Sequence, residues 1–289
     1  MNIHNHINHI QHEKSMHTYQ VNGEAFEIFI GLLFVLLIIM YLMTVAVSNR
    51  RYKKWPFYRS MYWVIGVFCV AAVCIGPLAT LSHYDFKAHM LSHLLLGMAA
   101  PLLFVLSSPV TLLLRTLKVS AARRLSRILK SRYIRFITDP IVVSILNIGG
   151  LWILYTTDLF AMMHDYPLLH FIVHVHVHVF LSGYFFTLSM IYIEPTPHRT
   201  SYLYRASVLL IALAFHGILS KYIYAHPPLG VPAVDAERGA MLMYYGGDAI
   251  DAVIIYILCY QWYKASRPRS FFTVNNLKQS RIRIRREEI

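Results

Sequence analysis

Two His-x-x-x-His pairs, His89/His93 and His170/His174, open two of the apolar stretches of this chain. Residues four apart on a helix differ by about 40° around its axis, so each pair can aim both imidazoles at one ion. Imidazole is the commonest protein ligand for a transition metal. It is also costly to bury in hydrocarbon without a partner, so at membrane depth it marks a functional candidate. His83, His216, Asp248 and Asp251 extend the set. In the run that follows His170, His174 and His178 keep to one helical stripe, whereas His176 lies off it. No zincin His-Glu-x-x-His, nucleophile elbow or glycine-rich phosphate loop accompanies them, so an enzyme is not expected.

The elements that must position these residues are apolar helices. Of the 289 residues 57% are hydrophobic, too many for a soluble domain. Runs of roughly 20 residues, the length a bilayer demands, fall at 27–47, 61–81, 89–114, 140–157, 168–193, 203–224 and 240–263. The third contains Pro101 and Pro109, which a membrane helix tolerates when neighbours satisfy the freed carbonyls. Lys and Arg crowd alternate connections: Arg50 to Arg59, Arg115 to Arg135, Arg199 to Arg205, and the tail after Tyr263. The other connections hold only Lys14, Lys87 and Arg238. The positive-inside rule then places the N-terminus outside and the C-terminus in the cytoplasm. The expected fold is all-α, a polytopic membrane helix bundle of seven transmembrane helices.

Three regions follow: a His-rich extracytoplasmic tail (1–26), the transmembrane domain (27–263) and a basic cytoplasmic tail (264–289). The stretch before the first span lacks a basic n-region, so that span reads as a retained helix rather than a cleaved signal. The tail carries His4, His6, His9, His12 and His17. Without fixed geometry it would gather metal only loosely. Cys69, Cys74 and Cys259 fall inside spans and read as buried apolar side chains. The net charge of +13 is explained by topology, and no recognition motif points to nucleic acid. Residues 115–138 alternate Arg and Lys with Leu, Ile and Val, suiting an amphipathic helix on anionic inner-leaflet lipids.

Depth turns the scattered residues into a layer. At 1.5 Å per residue, His89 is interfacial, His93 about 7 Å in, His174 about 9 Å in and His216 about 12 Å below the same outer surface. Asp248 and Asp251 reach a similar level on one helix face. Four helices thus place His or Asp in the outer third of the membrane, and the inner half has no such set. Imidazoles with methionine or carboxylate suit copper or zinc, not magnesium or calcium. Met90, Met98, Met162, Met163, Met241 and Met243 lie near enough to offer thioethers to copper(I). The same histidines also suit bis-histidine haem, with His93 and His174 as axial ligands. A metal or proton transporter using Asp248 and Asp251 is a further alternative, as is a scaffold that only docks subunits.

The stretch AHMLSHLLLGMAAPLLFVLSSPVTLLLR, Ala88 to Arg115, resembles the signature of the CtaG-type cytochrome c oxidase assembly factors. The likeness continues through Leu169 to Phe180, Phe215 to Ala225 and Asp235 to Asp248, and covers roughly residues 25 to 265. It implies a multi-pass protein of the bacterial cell (plasma) membrane needed to assemble a haem-copper oxidase by handling copper. Implied partners are cytochrome c oxidase subunits and, as donor, a copper chaperone. His89, His93, His170 and His174 would be the primary metal residues, with His83, His216, Asp248 and Asp251 in support. Members of the family carry a His-x-Pro after the tryptophan of the fourth span. Here Trp152 is followed by Tyr155, Thr156 and Thr157, so Tyr155 either serves differently or marks one ligand fewer.

Overall fold

The computed structural model describes residues 3–166, 169, 180–195 and 197–267, with backbone only for 3–26, 164 and 165. Every regular element among the described residues is helical. Five helices are long and apolar enough to cross a membrane: Glu27–Arg51, Phe57–Cys74, Phe86–Thr116, Tyr202–Ala225 and Ala233–Ser266. Two shorter apolar helices, Pro140–Thr156 and Phe180–Met190, fall within the fourth and fifth expected spans.

In chain order, α1 (Ile3–Arg51) leads into α2 (Phe57–Cys74) and a short turn, α3 (Pro77–Leu81). The backbone of residues 3–26 continues helically into α1, where no fixed geometry was expected, since extending a nucleated helix is cheap. The third span is segmented. It runs as α4 (Phe86–Leu94), a π-helical turn (Leu95–Ala99), α5 (Ala100–Ser107) and α6 (Pro109–Thr116). Two basic surface helices follow, α7 (Val119–Leu129) and α8 (Arg132–Ile137). The fourth apolar stretch is α9 (Pro140–Ser144), a second π-turn (Ile145–Gly149) and α10 (Gly150–Thr156). The remainder are α11 (Leu159–Asp165), α12 (Phe180–Met190), α13 (Tyr202–Ala225) and α14 (Ala233–Ser266).

Local chemistry explains the segment ends. Pro101 has no N–H to give the Gly97 carbonyl, so the turn widens and Ala100 N–H bonds Leu95 O instead. A Cβ added at Gly183 of α12 would collide with that Gly97 carbonyl. Only glycine lets the two backbones come so close. At the α5–α6 break Ser108 takes φ 55°, a left-handed conformation uncommon for serine. Tyr41 Oη donates to Ser107 O at 2.9 Å, bracing the break from α1. The buried Glu194 carboxylate accepts from Val110 N–H and Thr111 N–H, both at 2.9 Å, and from the Thr111 hydroxyl at 2.6 Å. Thus α6 receives its N-terminal cap from a residue 83 positions away. Desolvation lifts the Glu194 carboxyl above the ordinary carboxylate range, against the opposing pull of those hydrogen bonds.

The bundle is held by two principal apolar clusters. One gathers Leu102, Val105, Val143, Phe186, Leu209, Ile254 and Leu258; the other gathers Phe86, Met90, Leu151, Tyr155, Phe160, Leu219 and Met243. Outside them, Ile28, Phe29, Leu32, Leu36 and Met43 of α1 are exposed together, an apolar face suited to lipid rather than water. At the end near residues 52–56, Arg59 and Arg115 stack their guanidinium groups on Trp55 at 4.9 and 5.1 Å.

Candidate metal site

Asp85 starts α4 as its N-cap, accepting from Lys87 N–H at 2.8 Å. That start sets the helix so that His89 and His93, one turn apart, both face inward and are 2% and 4% exposed. His216 on α13 and Asp251 on α14 are each 3% exposed. Gly247 lets His216 lie flat on α14: a Cβ there would sit 2.5 Å from His216 Cε1.

His93, His216 and Asp251 line one cavity of ≈ 20 Å³. That is room for about one water or one ion. Met98, Asn147 and Thr187 share its wall, and both π-turns contribute to it. It is bordered by residues of both apolar clusters, including Leu151, Ile148, Phe186 and Ile254. His93 Nε2, His216 Nε2 and Asp251 Oδ1 are buried without a hydrogen-bond partner among the described residues. An unsatisfied buried polar atom costs about 1–3 kcal/mol, so three at one cavity call for a functional explanation. Among the described residues no group of three His, Cys, Asp or Glu stands close enough to hold a metal ion.

His89 has a different setting. Its Nε2 is 3.1 Å from Tyr155 Oη, and its ring packs between Phe86 and Phe160. It also lines a separate cleft of ≈ 360 Å³ with His83, Asp85, Phe160 and Asp235. Tyr155 therefore meets one of the expected metal residues.

The expected site residues divide accordingly. His93, His216 and Asp251 come together, His89 stands one helical turn away, and His83 is exposed at the mouth of the cleft. Asp248 is exposed, three residues from Asp251 on α14. His170 and His174 lie outside the described residues. Sequence reasoning missed Asn147, Thr187 and Gly247. Asn147 had a weak signal, as an amide inside an apolar span; its Nδ2 donates to Ser182 Oγ at 3.0 Å.

Fold and site together define a helical protein with several bilayer-length apolar helices and an ion-sized, largely apolar cavity that two imidazoles and a carboxylate line. Residues 39–265 match the cytochrome c oxidase caa3 assembly factor family (Caa3_CtaG), and the chain belongs to that family. It is a family of assembly factors, not of enzymes. The chain is 32% identical over 204 residues to uncharacterized proteins of Mycobacterium bovis and Mycobacterium tuberculosis, and 30% identical to one of Mycobacterium leprae. Each match covers 66% of this chain and 30% of the relative, so the chain spans under a third of those proteins' length. No solved structure matches it.

Proposed function

We propose that this protein assists assembly of a haem-copper cytochrome c oxidase in a bacterial plasma membrane by carrying copper as cargo in the His93–His216–Asp251 cavity. The observation behind this reading is the set of three partnerless polar atoms on residues lining one ion-sized space. Two imidazoles with the Met98 thioether nearby suit copper(I), and Asp251 supplies compensating negative charge. A cavity of ≈ 20 Å³ favours an ion over a haem macrocycle. Among the described residues no three acidic or imidazole groups are pre-assembled around one point, which favours a carrier that exchanges its ion over a closed structural site. His170 and His174 are the natural further ligands, entering from the same side in the sequence.

The seven apolar stretches would cross the membrane with the Lys- and Arg-rich end in the cytoplasm. The cleft at His83 and His89 would then open outward, toward oxidase subunits and a copper chaperone. Helices α7 and α8 would lie on anionic inner-leaflet lipid.

Metal analysis of the purified protein tests the reading. Wild type should hold copper and show no haem absorption band, while His93→Ala/His216→Ala should hold none and support less oxidase assembly. Wild type without copper above background, or full assembly with the double variant, overturns it.

A further inference from the structure

His89 is the residue that connects two spaces of very different kind. On one side it lines the open cleft between the 82–86 and 229–235 segments. On the other its Nε2 meets Tyr155 Oη at 3.1 Å. The Tyr155 ring in turn lies 6.4 Å from the His93 ring, centroid to centroid, and His93 lines the ion-sized cavity. Tyr155 is itself buried, and it packs against Phe86 and Phe160 at 6.3 and 5.8 Å. Tyr155 therefore stands between the histidine of the cleft and the histidine of the cavity.

We infer that cleft and cavity are two stations of one path for a soft metal cation, with His89 as the receiving ligand and the Tyr155–His89 hydrogen bond as the latch between them. This rests on the copper-carrying reading and adds direction and control to it. The cleft offers His83 and His89 imidazoles with the Asp85 and Asp235 carboxylates, a setting that attracts a cation from a polar surface. An ion taken by His89 Nε2 competes for the atom that faces Tyr155 Oη. Binding at the first station therefore releases the Tyr155 hydroxyl and opens the second. The ion passes by ligand exchange from one imidazole to the next, keeping its charge and needing no electron or proton donor. Tyr155 is a positioning residue here, acting through His89.

Two measurements test the latch. The first needs no metal: diethyl pyrocarbonate labelling of the chain in detergent, with His93 modification read by mass spectrometry relative to the exposed His83. Removing one hydrogen bond should raise the His93 rate about fivefold in Tyr155→Phe, and opening the aromatic plug should raise it about tenfold or more in Tyr155→Ala. Tyr155→Phe keeps the ring, so the test stands if the alanine variant fails to fold. A His93 rate unmoved in Tyr155→Phe, or equal to that of His83 in wild type, overturns the latch. The second is stopped-flow transfer of copper(I) from a colorimetric chelator. Tyr155→Phe should load and release faster at unchanged stoichiometry, and unchanged rates overturn the proposal. If wild type takes no copper, the carrier reading fails, and the labelling result still decides whether Tyr155 closes the path.

Discussion

At Gly247 a single methyl group separates a workable site from a blocked one. The His216 imidazole occupies the space a Cβ would need, so Gly247→Ala must push the ring away from α14. The expected cost is about 1–3 kcal/mol of stability, seen as a lower thermal midpoint, with copper retention falling toward that of a His216 variant. Asp251 should behave in the opposite way. Its Oδ1 is buried without a partner, so Asp251→Asn relieves a desolvated charge at constant shape. The variant should unfold no earlier than wild type yet hold less copper; equal retention would remove Asp251 from the site. That His93, His216 and Asp251 are buried together was legible in the sequence, because their types are anomalous in apolar runs and their depths could be counted. Gly247 was not, because its role depends on which residue of another helix lies against it. Tyr155 stood out only as a departure from a pattern; its meeting with His89 required the packing.

Among the elements, the segmented third span depends on contacts supplied from afar. Gly183→Ala should be poorly tolerated, since its Cβ would collide with the Gly97 carbonyl of the π-turn. A loss of at least about 2 kcal/mol in thermal or denaturant unfolding is expected, and a neutral result would mean the helices can part there freely. Glu194 gives the bundle a pH dependence. Burial lifts its carboxyl, so the fold favours the protonated form, and this stabilisation is present at low pH and lost as pH rises through the elevated value. Glu194→Gln keeps one carbonyl acceptor for the α6 N-terminus and cannot ionise. It should cost about 1 kcal/mol in acid and flatten the decline of the thermal midpoint as pH rises above the ordinary carboxylate range. The apolar runs and the two prolines predicted where helices lie. The remote cap and the break at Ser108 were hidden, because a carboxylate after one span has no local sign of serving another.

Across the whole molecule, charge is divided between the ends of the bundle. Arg115 of one Lys- and Arg-rich connection donates to Lys53 O of another, so the two share one end of the bundle, whereas the described residues lining the His83 cleft include Asp85 and Asp235 but no Lys or Arg. Single cysteines at Leu229 and Ser120, in a background without Cys69, Cys74 and Cys259, make this testable in intact cells. A membrane-impermeant maleimide should label position 229 at once and position 120 only after permeabilisation. The reverse pattern would invert the proposed orientation and put the cleft in the cytoplasm. The π-turn at Leu95–Ala99 bears on the same architecture through heredity. It takes up one surplus residue, so the turns on either side keep the winding they would have in an unbroken helix. The same residue inserted into a regular helix would turn His89 and His93 by about 100° relative to everything after Pro101. The wide turn thus absorbs a length change that would otherwise carry both imidazoles off their inward face, in a helix still long and apolar enough to cross a membrane.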